Sequence, residues 1–331
     1  MAFVVNGAEW DFNGLTPGQA RTRIDRALEF IETSWERGEE VAVGDDFQTR
    51  PMHGEANLWA LFTKGAEFSL PGELVRELAA WLSHAPRYAN AEVWPDGFGD
   101  GEIAIGDACP VDNPDIAWAH CATHAGNPTA CLTLGEARIV ATTTATSATD
   151  VHFVIDEPSR TAFWRDVIIL TGDTLATLIR YAPHAYPALH FVDGVLHDAG
   201  RLAGGYPASR QRMRATLATL NDWGRWTFTW PPPALAPCEA APADMEARPT
   251  TQIIEHRFAG FHLDAAPENP DVHKRPGPRK ARETTRGGRT LYCEWHIKLE
   301  GHRNRIHFHA PVAESGGRVV IGMIHEHLPL L

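Results

Sequence analysis

The sequence predicts an α+β protein in two parts. A mixed, acidic α+β domain spans residues 1–230, a Pro/Ala-rich linker spans 231–250, and a small basic C-terminal domain built on an antiparallel β-meander spans 251–331. Three observations lead there. Helical and alternating apolar patterns are interleaved without the regular strand–helix rhythm of a parallel α/β fold. Residues 231–250, PPPALAPCEAAPADMEARPT, hold six prolines among many alanines, which suits a stiff spacer better than a core. Charge also divides the chain. Residues 251–331 carry twelve Lys and Arg against nine Asp and Glu, a net +3, within a chain of formal net charge −12. The first 250 residues therefore carry −15, while nine of the seventeen histidines lie in the basic quarter, so the two parts are expected to do different work.

The elements follow in order. Thr16-Pro17-Gly18-Gln19 has capping-box spacing with Pro at the first helical position, and Ile24, Ala27, Leu28, Ile31 and Trp35 recur at helical intervals before Gly38. Trp35 is thereby expected on a core-facing side. A second helix is predicted over 71–84, with Leu74, Leu78, Trp81 and Leu82 on one side. Between residues 102 and 153 the runs IAIG, IAWAH, ACLTL, RIVATTT and VHFVI read as short strands. Helices return over 158–170 and 207–223, and LHFVDGVL reads as strand–turn–strand about Asp193-Gly194. After the linker, TQIIEHRFAGFHLDA suggests a strand or two.

The stretch 273–289, HKRPGPRKARETTRGGR, has seven Lys and Arg against one Glu, with two Pro and three Gly. It is too rich in Pro and Gly to be helical throughout. Two readings fit: a solvated loop, or an arm in which Lys274, Arg275, Arg279, Lys280, Arg282, Arg286 and Arg289 track a nucleic-acid backbone.

Composition bounds the class. Hydrophobic residues make up 44% and charged residues 22%, as in ordinary globular proteins. No run approaches eighteen apolar residues, and the start MAFVVNGAEW lacks the basic and apolar regions of a secretory signal, so neither a membrane span nor export is expected. Five cysteines, Cys109, Cys121, Cys131, Cys238 and Cys293, fit a reducing, cytoplasmic setting. Walker A, G-x-G-x-x-G and G-x-S-x-G motifs are all missing, so nucleotide-dependent and α/β-hydrolase chemistry lack support, and no cofactor is expected.

The clearest β signal is LYCEWHIKL, RIHFHAPV and RVVIGMIH, separated by EGHRN and AESGG. Strand parity puts Glu294, His296 and Lys298 with Arg305, His307 and His309 on one face. Trp295, Ile297, Leu299, Ile306 and Phe308 share the other. A four-residue loop, Gly301-His302-Arg303-Asn304, pairs Lys298 with His307 and His296 with His309. The third strand, apolar on both faces except at Gly322, is expected to be central or covered.

Three readings of the polar face stay open. In the first, histidines exchange protons while Lys298 and Arg305 stabilise the extra charge on a phosphodiester, RNA supplying its own 2′-hydroxyl as nucleophile. In the second, His296, His307 and His309 ligate a metal with Glu294 beside them, against repulsion from Lys298 and Arg305. In the third the face is merely solvated. Elsewhere, Cys109, Cys121, His124 and Cys131 offer a loose zinc spacing, for which buried structural cysteines are the plainer account.

RIHFHAPVAESGGRVVIGMIHEHLP resembles the C-terminal sheet of RelE/HigB-type bacterial toxins: an Arg-x-x-Phe strand (305–308), a hairpin (313–317), and a Val/Ile-rich strand with a His-containing tail (319–327). The resemblance implies a small α+β domain that cleaves mRNA without metal, in a toxin–antitoxin or antiviral defence setting. The residues it would assign to that chemistry are His296, Lys298, Arg305, His307 and His327. The sequence thus leads to an RNA-acting C-terminal domain, with a partner-binding N-terminal domain. The alternatives are a non-enzymatic module for nucleic acid or protein, and a His-ligated metalloprotein.

Overall fold

The computed structural model describes residues 2–63, 68–99, 101–229, 249–301 and 303–328. It divides into two compact units, Met1–Thr171 and Gly172–Leu331. Most of the expected linker, residues 230–248, lies outside the described residues.

The N-terminal unit contains β1 (Phe3–Val5), α1 (Pro17–Glu36), β2 (Val41–Ala42), the small hairpin β3 (Pro51–His53) and β4 (Ala56–Asn57), and α2 (Gly72–Leu82). There follow β5 (Glu102–Ile105), β6 (Val111–Asp112), α3 (Pro114–His124), β7 (Ala130–Leu132), β8 (Arg138–Thr143), β9 (Ala148–Val154) and α4 (Glu157–Leu170). Seven strands form one sheet in the order β2-β1-β7-β9-β8-β5-β6. The first four run parallel, and β9, β8, β5 and β6 pair antiparallel. β1 and β7 are buried along their whole length, as strands covered on both faces must be. The capping box forms: Gln19 N–H donates to Thr16 Oγ1 and Thr16 N–H to Gln19 Oε1.

Two expectations fail here. IAWAH lies in α3 and not in a strand. Asn113 caps Ile116 N–H at 3.1 Å and Pro114 opens the first turn, so the start signal outweighs an alternation of small and large residues. Trp35 is 78% exposed and stacks on His84 with ring centroids 6.5 Å apart. It sits in the last turn of α1, beyond the residues that face the core.

The C-terminal unit comprises α5 (Leu175–Ala185), β10 (Leu189–Phe191), α6 (Gly205–Thr227), α7 (Thr251–Gly260), β11 (Ala265–Pro267), α8 (Pro270–Lys274) and α9 (Pro276–Lys280). After them come the hairpin β12 (Glu283–Arg286) and β13 (Arg289–Tyr292), then β14 (Trp295–Lys298), β15 (Arg305–His309) and β16 (Val319–His325). The antiparallel meander β14-β15-β16 is present. It is widened to five strands in the order β10-β16-β15-β14-β11. β10 pairs parallel with β16, Leu189 opposite Val319. This pairing moves the boundary: residues 172–229 belong with the C-terminal sheet and not with the acidic part. β10 thereby pairs the backbone groups along what would otherwise be the open edge of β16.

Residues 251–260 form a helix where a strand was expected. Ile254 and Phe258, four apart, are its buried positions, and Phe258 meets Phe228, Trp295 and Phe308 with centroids 5.8–6.5 Å apart. LHFVDGVL contributes only β10; after Gly194, at φ +79°, the chain turns into a 3-10 segment (His197–Arg201) instead of returning as a strand.

Candidate functional site

β14 pairs with β15 so that Trp295 faces Phe308, His296 faces His307, Ile297 faces Ile306 and Lys298 faces Arg305. This is two residues tighter than the four-residue loop predicts. Leu299 N–H donates to Asn304 O at 2.7 Å and Glu300 N–H to Arg303 O at 3.3 Å. His302 of the expected loop lies outside the described residues. Asn304 sets the turn. It is buried at φ +58°, a conformation Asn tolerates. Its side chain accepts from Ala203 N–H at 2.9 Å and donates to Ala203 O at 3.1 Å. A shift of two preserves parity, so the apolar and ionisable faces remain as expected.

On β16 the register slips between His307 and Phe308 of its partner: Met323 faces His307, but Ile321 faces Phe308. Gly322 is the extra residue of a β-bulge. The bulge turns Ile321 and Ile324 toward the apolar face, and Met323 and His325 toward the polar one. A Cβ on Gly322 would collide with Cys293 Sγ, so the room left by the glycine is taken by that thiol. Burial pushes the Cys293 thiol up to about 12.

The polar face is therefore a grid. One rank across the strands runs Lys298, Arg305, His325, with Asp264 beside Lys298 at 3.2 Å. The next runs His296, His307, Met323. The three imidazoles stack, His296 to His307 at 5.3 Å and 26°, His307 to His325 at 5.0 Å and 27°. Behind them lies Glu268. Its Oε1 is 3.2 Å from Arg282 Nε, 3.4 Å from His296 Nδ1 and 3.5 Å from His307 Nδ1. Arg282, 1% exposed, also donates from Nη1 to Pro278 O at 2.9 Å.

Burial dominates the electrostatics. It lowers His307 well below the ordinary imidazole range, with His325, His296, Arg282 and Arg305 adding to the effect. His296 is lowered by burial, with Glu268 opposing. His325 falls to about 4 through burial, then Arg282 and Arg305. Neutral imidazoles can accept protons at pH 7. Nδ1 of His296, both ring nitrogens of His307 and of His325, and Nε of Arg305 make no hydrogen bond among the described residues. Buried polar atoms of this kind are few in native proteins, and a catalytic or binding role is one account of them.

The structure thus brings together His296, Lys298, Arg305 and His307 of the expected set. His309 stands apart from the ring stack, opposite Val320, with Nδ1 at 2.7 Å from Ala310 O. His327 is exposed beyond the end of β16. His325, opposite Arg305, joins the stack in their stead. Glu268 had no signal in the sequence, because it reaches the face only through the pairing of β11 with β14.

The basic stretch is not a free arm. It folds into α8, α9 and the β12–β13 hairpin, whose tip glycines Gly287 and Gly288 have φ +56° and +77°. Arg282 is buried. Lys274 pairs with Asp271, Arg279 with Glu283 and Arg289 with Glu314, at 2.9–3.1 Å, while Arg286 Nε donates to Glu314 O. Arg275 and Lys280 are exposed. For the zinc spacing, Cys109 is exposed while Cys121 and Cys131 are buried. Among the described residues no three His, Cys, Asp or Glu side chains are grouped so as to hold a metal ion.

No helix of the described residues is long and apolar enough to cross a membrane. No family model, curated protein or solved structure matches the chain, so its function is argued from the geometry of this face.

Proposed function

We propose that the C-terminal unit acts on RNA, holding a phosphodiester at Lys298 and Arg305 and cleaving it by attack of the neighbouring 2′-hydroxyl. One observation carries the reading: two cations directly opposite each other on a sheet face, with neutral imidazoles in the adjoining rank. Like charges so placed repel, and a bound phosphate relieves the repulsion. The same pair disfavours a divalent cation on this face.

In the proposed reaction the 2′-hydroxyl proton passes to His296. The 2′-oxygen forms a bond to phosphorus as the bond to the 5′-oxygen breaks, and the leaving oxygen takes a proton from the Lys298 ammonium. The products are a 2′,3′-cyclic phosphate and a 5′-hydroxyl. Arg305 stabilises the charge that builds on the phosphoryl oxygens. The likeness of residues 305–327 to RelE/HigB-type sheets extends the proposal to mRNA in a toxin–antitoxin or antiviral setting.

The test is cleavage of RNA, and of the same strand with 2′-deoxy sugars, by the full chain. Cyclic-phosphate ends from RNA alone, reduced about 10²-fold or more in Arg305→Ala with circular dichroism unchanged, support the proposal. Salt-sensitive binding without cleavage leaves a non-enzymatic nucleic-acid module. Absence of both overturns the reading.

A further inference from the structure

We infer that Glu268 is a positioning residue that keeps the proton of neutral His296 on Nδ1 and leaves Nε2 as the atom that accepts the substrate proton. The inference rests on the proposed function and deepens it.

The carboxylate stands within 3.5 Å of three cationic or cationisable groups, all through one oxygen, Oε1. Arg282 fixes it there. That guanidinium is anchored in turn by Pro278 O and is sealed from solvent. The two imidazoles present the same nitrogen, Nδ1, to the carboxylate. At 3.4 Å His296 Nδ1 closes no hydrogen bond to the carboxylate. A neutral imidazole has one N–H, and the negative charge of Glu268 favours that hydrogen on the nitrogen nearer to it. Nε2 is then left with a free lone pair.

The imidazoles differ in access. The His307 side chain is 1% exposed, whereas that of His296 is 13% exposed and lies on the rank next to Lys298 and Arg305. Of these two, His296 is the one open to a substrate held by those cations. Three elements supply the charges around it: Glu268 at the end of β11, Lys298 on β14, Arg305 on β15, with Arg282 just ahead of β12. The three cations disfavour a second proton on the ring and Glu268 alone favours it. The geometry therefore gives a neutral base with a set tautomer. His307 is stacked between His296 and His325, tilted 26° and 27° to them, and is itself sealed from solvent.

Side-chain ¹⁵N NMR of the histidines in the full chain reads the tautomer without reference to activity. His296 signals are assigned by their loss in His296→Gln. At pH 7 the expected result is a protonated Nδ1 and an unprotonated Nε2 in the wild type. A proton on Nε2, or a doubly protonated ring, overturns the inference. Glu268→Gln retains shape and tests the kinetic consequence: kcat for RNA falls at least about tenfold while KM holds, because the orientation of the base is lost and the phosphate clamp is not. An unchanged kcat also overturns it. Should Glu268→Gln fail to fold, the wild-type spectrum decides alone. A protein that shows the expected tautomer but cleaves no RNA sustains the Glu268–His296 relationship and removes the proposed reaction, so the two failures are distinct.

Discussion

Lys298 stands directly across the β14–β15 ladder from Arg305, and the carboxylate of Asp264, 3.2 Å from Lys298 Nζ, is the compensating charge in that rank. The ion pair is partly exposed and contributes little to stability. Its consequence is for binding: Asp264 competes with any phosphate for Lys298.

Asp264→Asn is therefore expected to tighten RNA binding several-fold at low salt. It should also steepen the dependence of log K on log salt by about one phosphate contact, read by fluorescence anisotropy across a salt series. Unchanged affinity would place the anion elsewhere on the molecule.

The lowered imidazoles make the C-terminal unit sensitive to acid. A histidine whose folded pKa lies below its unfolded value binds its proton more readily in the unfolded chain. Stability is thus fully present above the unfolded pKa of about 6.5 and declines as pH falls toward the folded values, that of His325 being about 4. Urea midpoints should fall between pH 7 and pH 4. His325→Gln should flatten part of that decline; an equal decline in the variant would assign it to other groups.

Gly322→Ala meets the Cys293 thiol head-on. The expected cost is about 1–3 kcal/mol, as for overpacked cores. In a double-mutant cycle, Cys293→Gly should return much of it. Equal cost with and without the thiol would point to the bulge backbone in place of the contact.

Much of the polar face was legible because alternation along a strand is set by backbone geometry alone. Trp295, Ile297, Ile306 and Phe308 could only go together, and His296, Lys298, Arg305 and His307 went with them on the reverse side. Register was less legible. It depends on Asn304, and Asn304 depends on Ala203, about a hundred residues earlier. Nor was the bulge at Gly322 legible, or the place of His325 in the stack opposite Arg305. Arg282 shows the limit of reading charge runs. It sits amid exposed basic residues, yet pairs with Glu268 in the interior, its guanidinium also donating to Pro278 O of α9. The boundary between units was hidden for a related reason: a stiff, proline-rich segment attracts attention, while a three-residue parallel strand does not.

The pairing of Leu189 with Val319 has a consequence for how the protein is made. During synthesis β10 leaves the ribosome long before β16, and at about 5–20 residues per second that interval lasts several seconds. Until then α5 and α6 have no completed sheet to cover, and β10 has no ladder to join. The sheet of the C-terminal unit can close only late in synthesis, from strands far apart in the chain, and refolding slower than that of a protein of local contacts is the expected outcome in a stopped-flow measurement.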